Sequence, residues 1–349
     1  MKMTRFLYLL LFICLFTQAG CTKDQNTITV DEQGVPQLNG RHIVAYVAAR
    51  EEVGSALLSS FCQRTGCTYE YIRLSTEEIL RRVTQESAKP QADLVIGGTI
   101  DAHLTMKQEK LSSPIRSSNL AAIPSSFKDE DGYWAGYEIE QLSIAVNRDR
   151  WNKEFAPLGL TMPKKWEDLL LPAYQGKIVM PDPNYSGTAY TFLSSLYEAW
   201  GEQRTTAFLK GLTRNVGLLT VNGYMPAQYV SSGEYVIGIN FLGDQRKLRD
   251  AGFDLVSSVP KDTSLSVNGI SKIRNAPNET AADWFINYSL SQEAAAVLEQ
   301  VSFGTPIVHQ NEQDISNSAV LPVHSSLRRH EQILNQWNNL RADTKGQGE

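Results

Sequence analysis

The sequence predicts an α/β fold arranged as two lobes, and three observations carry that expectation. Short β-rich runs alternate with stretches of helical periodicity, the pattern of a mixed, mainly parallel sheet flanked by helices. The alternation completes one cycle, passes a long extended segment over 131–147, and begins a second cycle. The chain has 349 residues, whereas one domain usually takes about 100–200.

In the first cycle, residues 42–47 are a β-rich run, and Val53, Ala56, Leu57 and Phe61 follow at helical spacing over 51–62. Residues 69–74 read as a strand, and Ser75 with Glu78 forms a capping-box pair for a helix from Thr76 to about Glu86. A short apolar strand, 92–96, then ends in Gly97-Gly98. The second cycle has a short helical stretch at 166–171, a strand at 177–180, and helices at 187–200, 202–212 and 225–232. A strand at 235–240, a helix at 244–251 and a strand at 253–257 close it. After Val267-Asn268-Gly269 come a strand, 270–273, and helices at 279–289 and 292–301, which are expected to pack back on the first lobe. A docked helix is expected at 325–340. The expected division is therefore 41–143 plus 268–340 for the first lobe, 144–267 for the second, and 341–349 as a loose tail. Two lobes joined by crossing strands can hinge shut on a ligand.

The N-terminus sets the compartment. Lys2 and Arg5 precede an apolar run from Phe6 to Phe16, shorter than the ~20 residues that span a bilayer. A basic start with a short apolar core is an export signal, here 1–20. It ends in Gln18-Ala19-Gly20-Cys21, which resembles the bacterial lipobox, with Gln18 where Leu is usual. Cys21 is the expected lipidation site, anchoring the protein in the cell envelope or periplasm through a tether, 21–40. Simple cleavage after a small residue, leaving Cys21 as a stray thiol, is the alternative. Thr22 after the cysteine resembles outer-membrane-sorted lipoproteins of Gram-negative hosts.

Of the 4 cysteines, Cys14 lies in the signal. Cys62 and Cys67 remain, with the helix terminator Gly66 between them. In an oxidising compartment they are expected to form a disulfide; two independent buried thiols are the other reading. Without Lys2 and Arg5, the 33 basic side chains become 31 against 38 acidic ones, which argues against nucleic-acid binding. The histidines, His42, His103, His309, His324 and His330, show no metal-ligand spacing, and no nucleophile elbow, Walker loop or dinucleotide fingerprint occurs. No catalysis, metal or cofactor is expected.

The strongest candidate ligand site is Ser186-Gly187-Thr188, between a strand and a helix. A helix N-terminus presents backbone N–H groups and partial positive charge, which favour phosphate or carboxylate; an ordinary N-cap without ligand is the bland reading. Gly98 and Thr99 end a first-lobe strand in the same way, or merely turn the chain. Arg50 follows the first strand and offers a bidentate grip on an anion, or is a surface charge. Asp244 could accept from ligand hydroxyls or an amine, or cap its own helix. Tyr137, Glu138 and Tyr224 are further candidate walls of a cleft.

Several stretches in order resemble extracellular solute-binding proteins of ABC importers, in the group containing ferric-iron, phosphonate and sugar-phosphate binders. They are residues 46–52 (YVAAREE), 92–101 (ADLVIGGTID), 166–170 (WEDLL) leading into 172–178 (PAYQGKI), 181–183 (PDP) with 186–190 (SGTAY), and 232–239 (SGEYVIGI). The resemblance covers roughly residues 43–310. It implies a two-lobed periplasmic binding protein of type II-like fold, a small anionic ligand in the interlobe cleft, an ABC permease as partner and a monomeric state. Iron-binding relatives place a tyrosine pair where this chain has Phe241-Leu242, and His and Glu where it has Arg50 and Gly98. Sugar-phosphate relatives share the Gly-Gly-Thr turn and the Ser-Gly-Thr loop but show His-Asp at Gly243-Asp244, so the resemblance implies a kept phosphate grip with a changed sugar grip, and a small phosphorylated, phosphonate or carboxylated solute is the expectation. The alternative is a ligand sensor acting on a membrane histidine kinase, similar to regulators of phosphoglycerate uptake.

Overall fold

The computed structural model describes residues 28–302, Thr305 and 323–345, with side chains described over 329–342 in the last segment. The expected export signal, 1–20, and the expected lipidation site Cys21 lie outside the described residues.

Three parallel strands open the fold: β1 (His42–Ala48) lies between β2 (Thr68–Arg73) and β3 (Leu94–Thr99). Their crossovers are α1 (Glu51–Thr65) and α2 (Thr76–Gln85). Helix α1 stops at Gly66, whose φ of 78° is left-handed and whose amide donates to the Cys62 carbonyl. That turn brings the Cys62 and Cys67 sulfurs to bonding distance, with Cα atoms 4.6 Å apart. Ser75 closes onto Glu78 at the start of α2, as the capping-box pair requires. Helix α3 (Ile100–Gln108) follows β3 without a loop, and a two-residue strand, β4 (Ser112–Ser113), comes next.

The second lobe follows the long strand β5 (Ala135–Asn147). It contains α4 (Arg148–Glu154), β6 (Ile178–Pro181), α5 (Gly187–Asn215), β7 (Val216–Thr220), α6 (Met225–Ser231), β8 (Ile237–Phe241), α7 (Leu242–Asp250) and β9 (Leu255–Ser258). Strand β6 pairs parallel with β7 and β8. Gly201, at φ 73° and ψ 174°, breaks α5 where the sequence separates two helices. The chain returns through β10 (Leu265–Ile273), then α8 (Glu279–Ser289), α9 (Gln292–Glu299) and α10 (Val323–Lys345).

The strand order is β2-β1-β3-β10-β5-β8-β6-β7, with β4 on β10 and β9 on β5. Strand β5 is the junction: residues 135–141 pair with β10, and residues 142–147 pair with β8 and β9. All thirteen of its residues are buried. Two main cores flank it. One includes Leu38, Val47, Phe61, Trp134 and Phe285, and the other Trp166, Phe192, Leu209 and Trp337.

Four expectations need correction. Residues 28–40 are not simply a tether, because Leu38 is fully buried in the first core and Asp31 closes a turn by accepting from the Gln33 and Val35 amides. The return strand starts at Leu265 rather than 270: Val267-Asn268-Gly269 reads as a turn, but a register shift at Asn268/Gly269 absorbs the irregularity inside the ladder. Helix α10 extends through Lys345 and, although expected with the first lobe, buries Ile333 and Trp337 in the second core. Helices α3 and α4 and strand β7 were not marked by the periodicity, being short elements, and α3 also buries the polar Asp101 and His103.

Trp337 tests the docking of α10. Trp337→Ala is expected to lower stability by about 3–5 kcal/mol, the usual cost of a large-to-small change in a core. Denaturant unfolding followed by circular dichroism measures it, and a loss under about 1 kcal/mol would refute the packing.

Candidate functional site

Three helices point their N-termini at one cleft. Helix α2 begins at Thr76, α3 follows its N-cap Thr99, and α5 follows its N-cap Ser186. The first two come from the first lobe and the third from the second. A Cβ built on Gly187 would sit 2.8 Å from both the Thr76 and Thr99 hydroxyl oxygens, so only glycine allows α5 to approach this closely. Neither Thr99 nor Ser186 caps its own helix through its side chain. The Thr99 hydroxyl is buried and has no hydrogen-bond partner among the described residues.

The Gly97-Gly98 turn that presents Thr99 has φ values of +83° and +82°. At Gly97 a Cβ would also strike the Ala48 carbonyl, so glycine is required there. His103 holds the turn from behind. Its Nε2 lies 3.0 Å from the Gly97 carbonyl oxygen, which can only accept, so the ring carries its proton there and Nδ1 faces Ser271 at 2.7 Å. Burial pushes its pKa down to about 4, so it is neutral and structural.

The opposite wall is a buried charge cluster. The Arg50 guanidinium donates to Asp244 at 3.0 Å and to the Val301 carbonyl at 2.5 Å, and lies 3.6 and 3.5 Å from Glu138 and Glu140. The carboxylates have further donors: Asn268 to Glu138 at 2.8 Å, the Gly243 amide to Glu140 at 3.3 Å, and Asn240 to Asp244 at 3.1 Å. Burial raises the pKa of all three carboxyls against the lowering effect of Arg50, and Glu140 stands well above the usual range. Three acids around one guanidinium leave this wall electronegative or partly protonated. The wall opposite the helix N-termini is thus fitted to hydroxyl or amine groups rather than to an anion.

Arg50, Gly98, Thr99, Ser186, Gly187, Thr188, Tyr224 and Asp244 all line this cleft, which holds about 580 Å³ of empty space including its open mouth. Arg50 differs from its expected role, because its guanidinium is engaged by carboxylates instead of standing free for a ligand anion. Tyr137 does not line the cleft. Side chains alternate along a strand, so Tyr137 and Ile139 enter the first core while Glu138 and Glu140 face the site. Sequence reasoning missed Glu140, Thr76, Asn222 and Asn268, which also line it. The alternation Glu138-Ile139-Glu140 in a strand otherwise free of charge was the available signal for Glu140.

Arg50→Met isolates the charge cluster. Removing the cation from three buried acids is expected to cost about 3–5 kcal/mol at pH 7. The acids then take up protons in the folded chain at higher pH than when unfolded, so stability should recover as pH falls. Unfolding midpoints of both proteins near pH 5 and pH 7 check this, and a pH-independent difference would contradict it.

Residues 89–321 match the family described as bacterial extracellular solute-binding protein. A Haemophilus influenzae protein of uncharacterised role is 30% identical over 266 residues, 74% of this chain and 75% of that one. Iron uptake protein A1 of Synechocystis is 22% identical, covering 83% and 81% of the two chains. A Salmonella typhi periplasmic protein, provisionally named for 2-aminoethylphosphonate binding, is 23% identical over 71% of this chain and 72% of its own. Among solved structures, the periplasmic binding protein AfuA of Actinobacillus pleuropneumoniae, with fructose-6-phosphate bound, superposes with a TM-score of 0.79 at 26% identity, covering 86% of this chain and 98% of that one. The matching family and the structural neighbour are solute-binding proteins and not enzymes, and the two-lobed architecture is theirs. The chain belongs to the bacterial extracellular solute-binding protein family.

Proposed function

We propose that the cleft captures a small phosphorylated or phosphonate solute and that the protein delivers it to an ABC permease. The convergence of three helix N-termini on the buried, unpartnered Thr99 hydroxyl carries this reading. Each helix end contributes about half a positive charge and unbonded amides, and a phosphoryl group has three terminal oxygens to distribute among them. Thr76, Thr99, Ser186 and Thr188 supply hydroxyl donors at the same place. The far wall, Glu138, Glu140 and Asp244 ordered by Arg50, accepts from hydroxyls or an amine on the remainder of the solute. Arg50 therefore arranges acceptors instead of holding the anion itself. In this reading the protein is a monomer anchored to a membrane through lipidated Cys21 on the periplasmic side, and Cys62–Cys67 is a disulfide.

Ferric iron suits this wall poorly. Arg50 occupies the centre of the carboxylate cluster, and the described residues hold no group of three or more His, Cys, Asp or Glu arranged for a metal ion.

A thermal-shift screen against sugar phosphates, phosphoglycerates, phosphonates, inorganic phosphate, polyamines and ferric citrate tests the reading. A ligand at ~100 times its dissociation constant adds about 2.7 kcal/mol of stability. Stabilisation is expected from phosphoryl or phosphonate compounds alone. Thr99→Val should then weaken the best of them about ten-fold or more by calorimetry, since a hydrogen bond to a charged group contributes about 1.5–3 kcal/mol. Stabilisation by ferric citrate alone would overturn the proposal, as would Thr99→Val binding unchanged.

A further inference from the structure

His330 lies on α10, which is anchored in the second core through Ile333 and Trp337. Its imidazole reaches back to the first lobe. Nδ1 is 3.5 Å from Asp101 and Nε2 is 3.8 Å from Glu77, while the ring packs on Tyr190 with centroids 4.4 Å apart. These three partners have matching positions. Glu77 is the second residue of α2, Asp101 the second residue of α3, and Tyr190 lies in the first turn of α5. One side chain therefore touches the opening turns of α2, α3 and α5, three of the helices whose N-termini meet the cleft.

We propose that His330 is a positioning residue for the cleft: as the imidazolium, it ties the first turns of α2 and α3 to α5 and holds the three helix N-termini at ligand-binding separation. This rests on the anion-binding reading of the cleft. The link has two physical effects. It joins the lobes through a cation on one and two acids on the other. It also offsets the charges of Glu77 and Asp101, which would otherwise oppose an incoming anion at the helix ends they occupy.

The charged neighbours agree with this role. Glu77 and Asp101 face the ring from the first lobe, Tyr190 from the second, and Glu331 from its own helix; Arg81 stands near Glu77 one turn along α2. Burial acts to lower the pKa of His330, but Asp101 and Glu77 outweigh it and hold the imidazole above its ordinary value. Burial and Asp101 together raise Glu77. A group whose folded pKa is raised contributes fully below its unfolded value, near 6.5, and loses that contribution as pH rises through the folded value. The clamp is therefore closed below about pH 6.5 and is released as the pH rises through the folded value.

The test compares the purified protein with His330→Gln, after circular dichroism shows that both are folded. Calorimetry with fructose 6-phosphate and with 2-aminoethylphosphonate near pH 6 and near pH 9 gives affinities, and small-angle X-ray scattering without ligand gives the radius of gyration. The variant should bind about five-fold more weakly near pH 6 and match the wild type near pH 9. Ligand ionisation is common to both proteins, so the difference between their pH profiles reports His330. Without ligand, the wild type should expand between pH 6 and pH 9, and the variant should be expanded at both. Parallel affinity profiles, or equal radii throughout, would overturn the proposal. Should the wild type bind neither probe at either pH, the phosphate reading fails, and scattering alone decides whether His330 holds the lobes.

Discussion

A guanidinium removed from water needs compensating charge, and here the compensation is gathered from across the chain. Arg50 leaves β1, Glu138 and Glu140 sit on the crossing strand β5, Asp244 opens α7 in the second lobe, and the Val301 carbonyl follows α9. None of these groups could stay ionised and buried alone, because desolvation of one charge outweighs what any single contact returns. The cluster therefore exists only when both lobes and the strand between them are in place. It fixes the floor of the cleft and sets its polarity, with acceptors on this wall.

That polarity explains why the opposite wall is made from backbone. Three carboxylates outnumber the single guanidinium, so the anion of the proposed solute would be met elsewhere. Helix N-termini supply positive potential there, beside Arg73, which also lines the cleft. The arrangement demands very close approach, and the glycines show where. Gly187 lets α5 reach Thr76 and Thr99, and Gly97 lets β3 turn beside Ala48. His103, buried and neutral beneath that turn, supports it without adding charge.

The long strand β5 joins these two walls to the fold. Its first half belongs to the ladder with β10 and its second half to the ladder with β8 and β9. Strict side-chain alternation along it divides its residues between core and cleft, which is why Tyr137 is packed among apolar groups while Glu138 and Glu140 line the site. Helix α10 also bridges the lobes, placing Trp337 in one core and His330 against the other lobe.

The alternation of β-rich and helical stretches, the capping pair Ser75–Glu78, the terminator Gly66 and the break at Gly201 were determined by local sequence, because each depends on backbone preferences within a few residues. The Ser186-Gly187-Thr188 and Gly98-Thr99 segments could be picked out for the same reason: a strand end, a glycine and a hydroxyl residue mark a helix N-terminus wherever it lies. Periodicity also assigned α8 and α9 to their places. What the tertiary structure decided was which of these segments meet. Arg50 and Asp244 are separated by 194 positions, and nothing local to Arg50 distinguishes a free anion-binding guanidinium from one enclosed by carboxylates. The lobe that α10 joins was likewise hidden, since an amphipathic face records that it is buried but not against what. Long-range contacts assign charge to a site, and here they enclose Arg50 among carboxylates instead of leaving its guanidinium free.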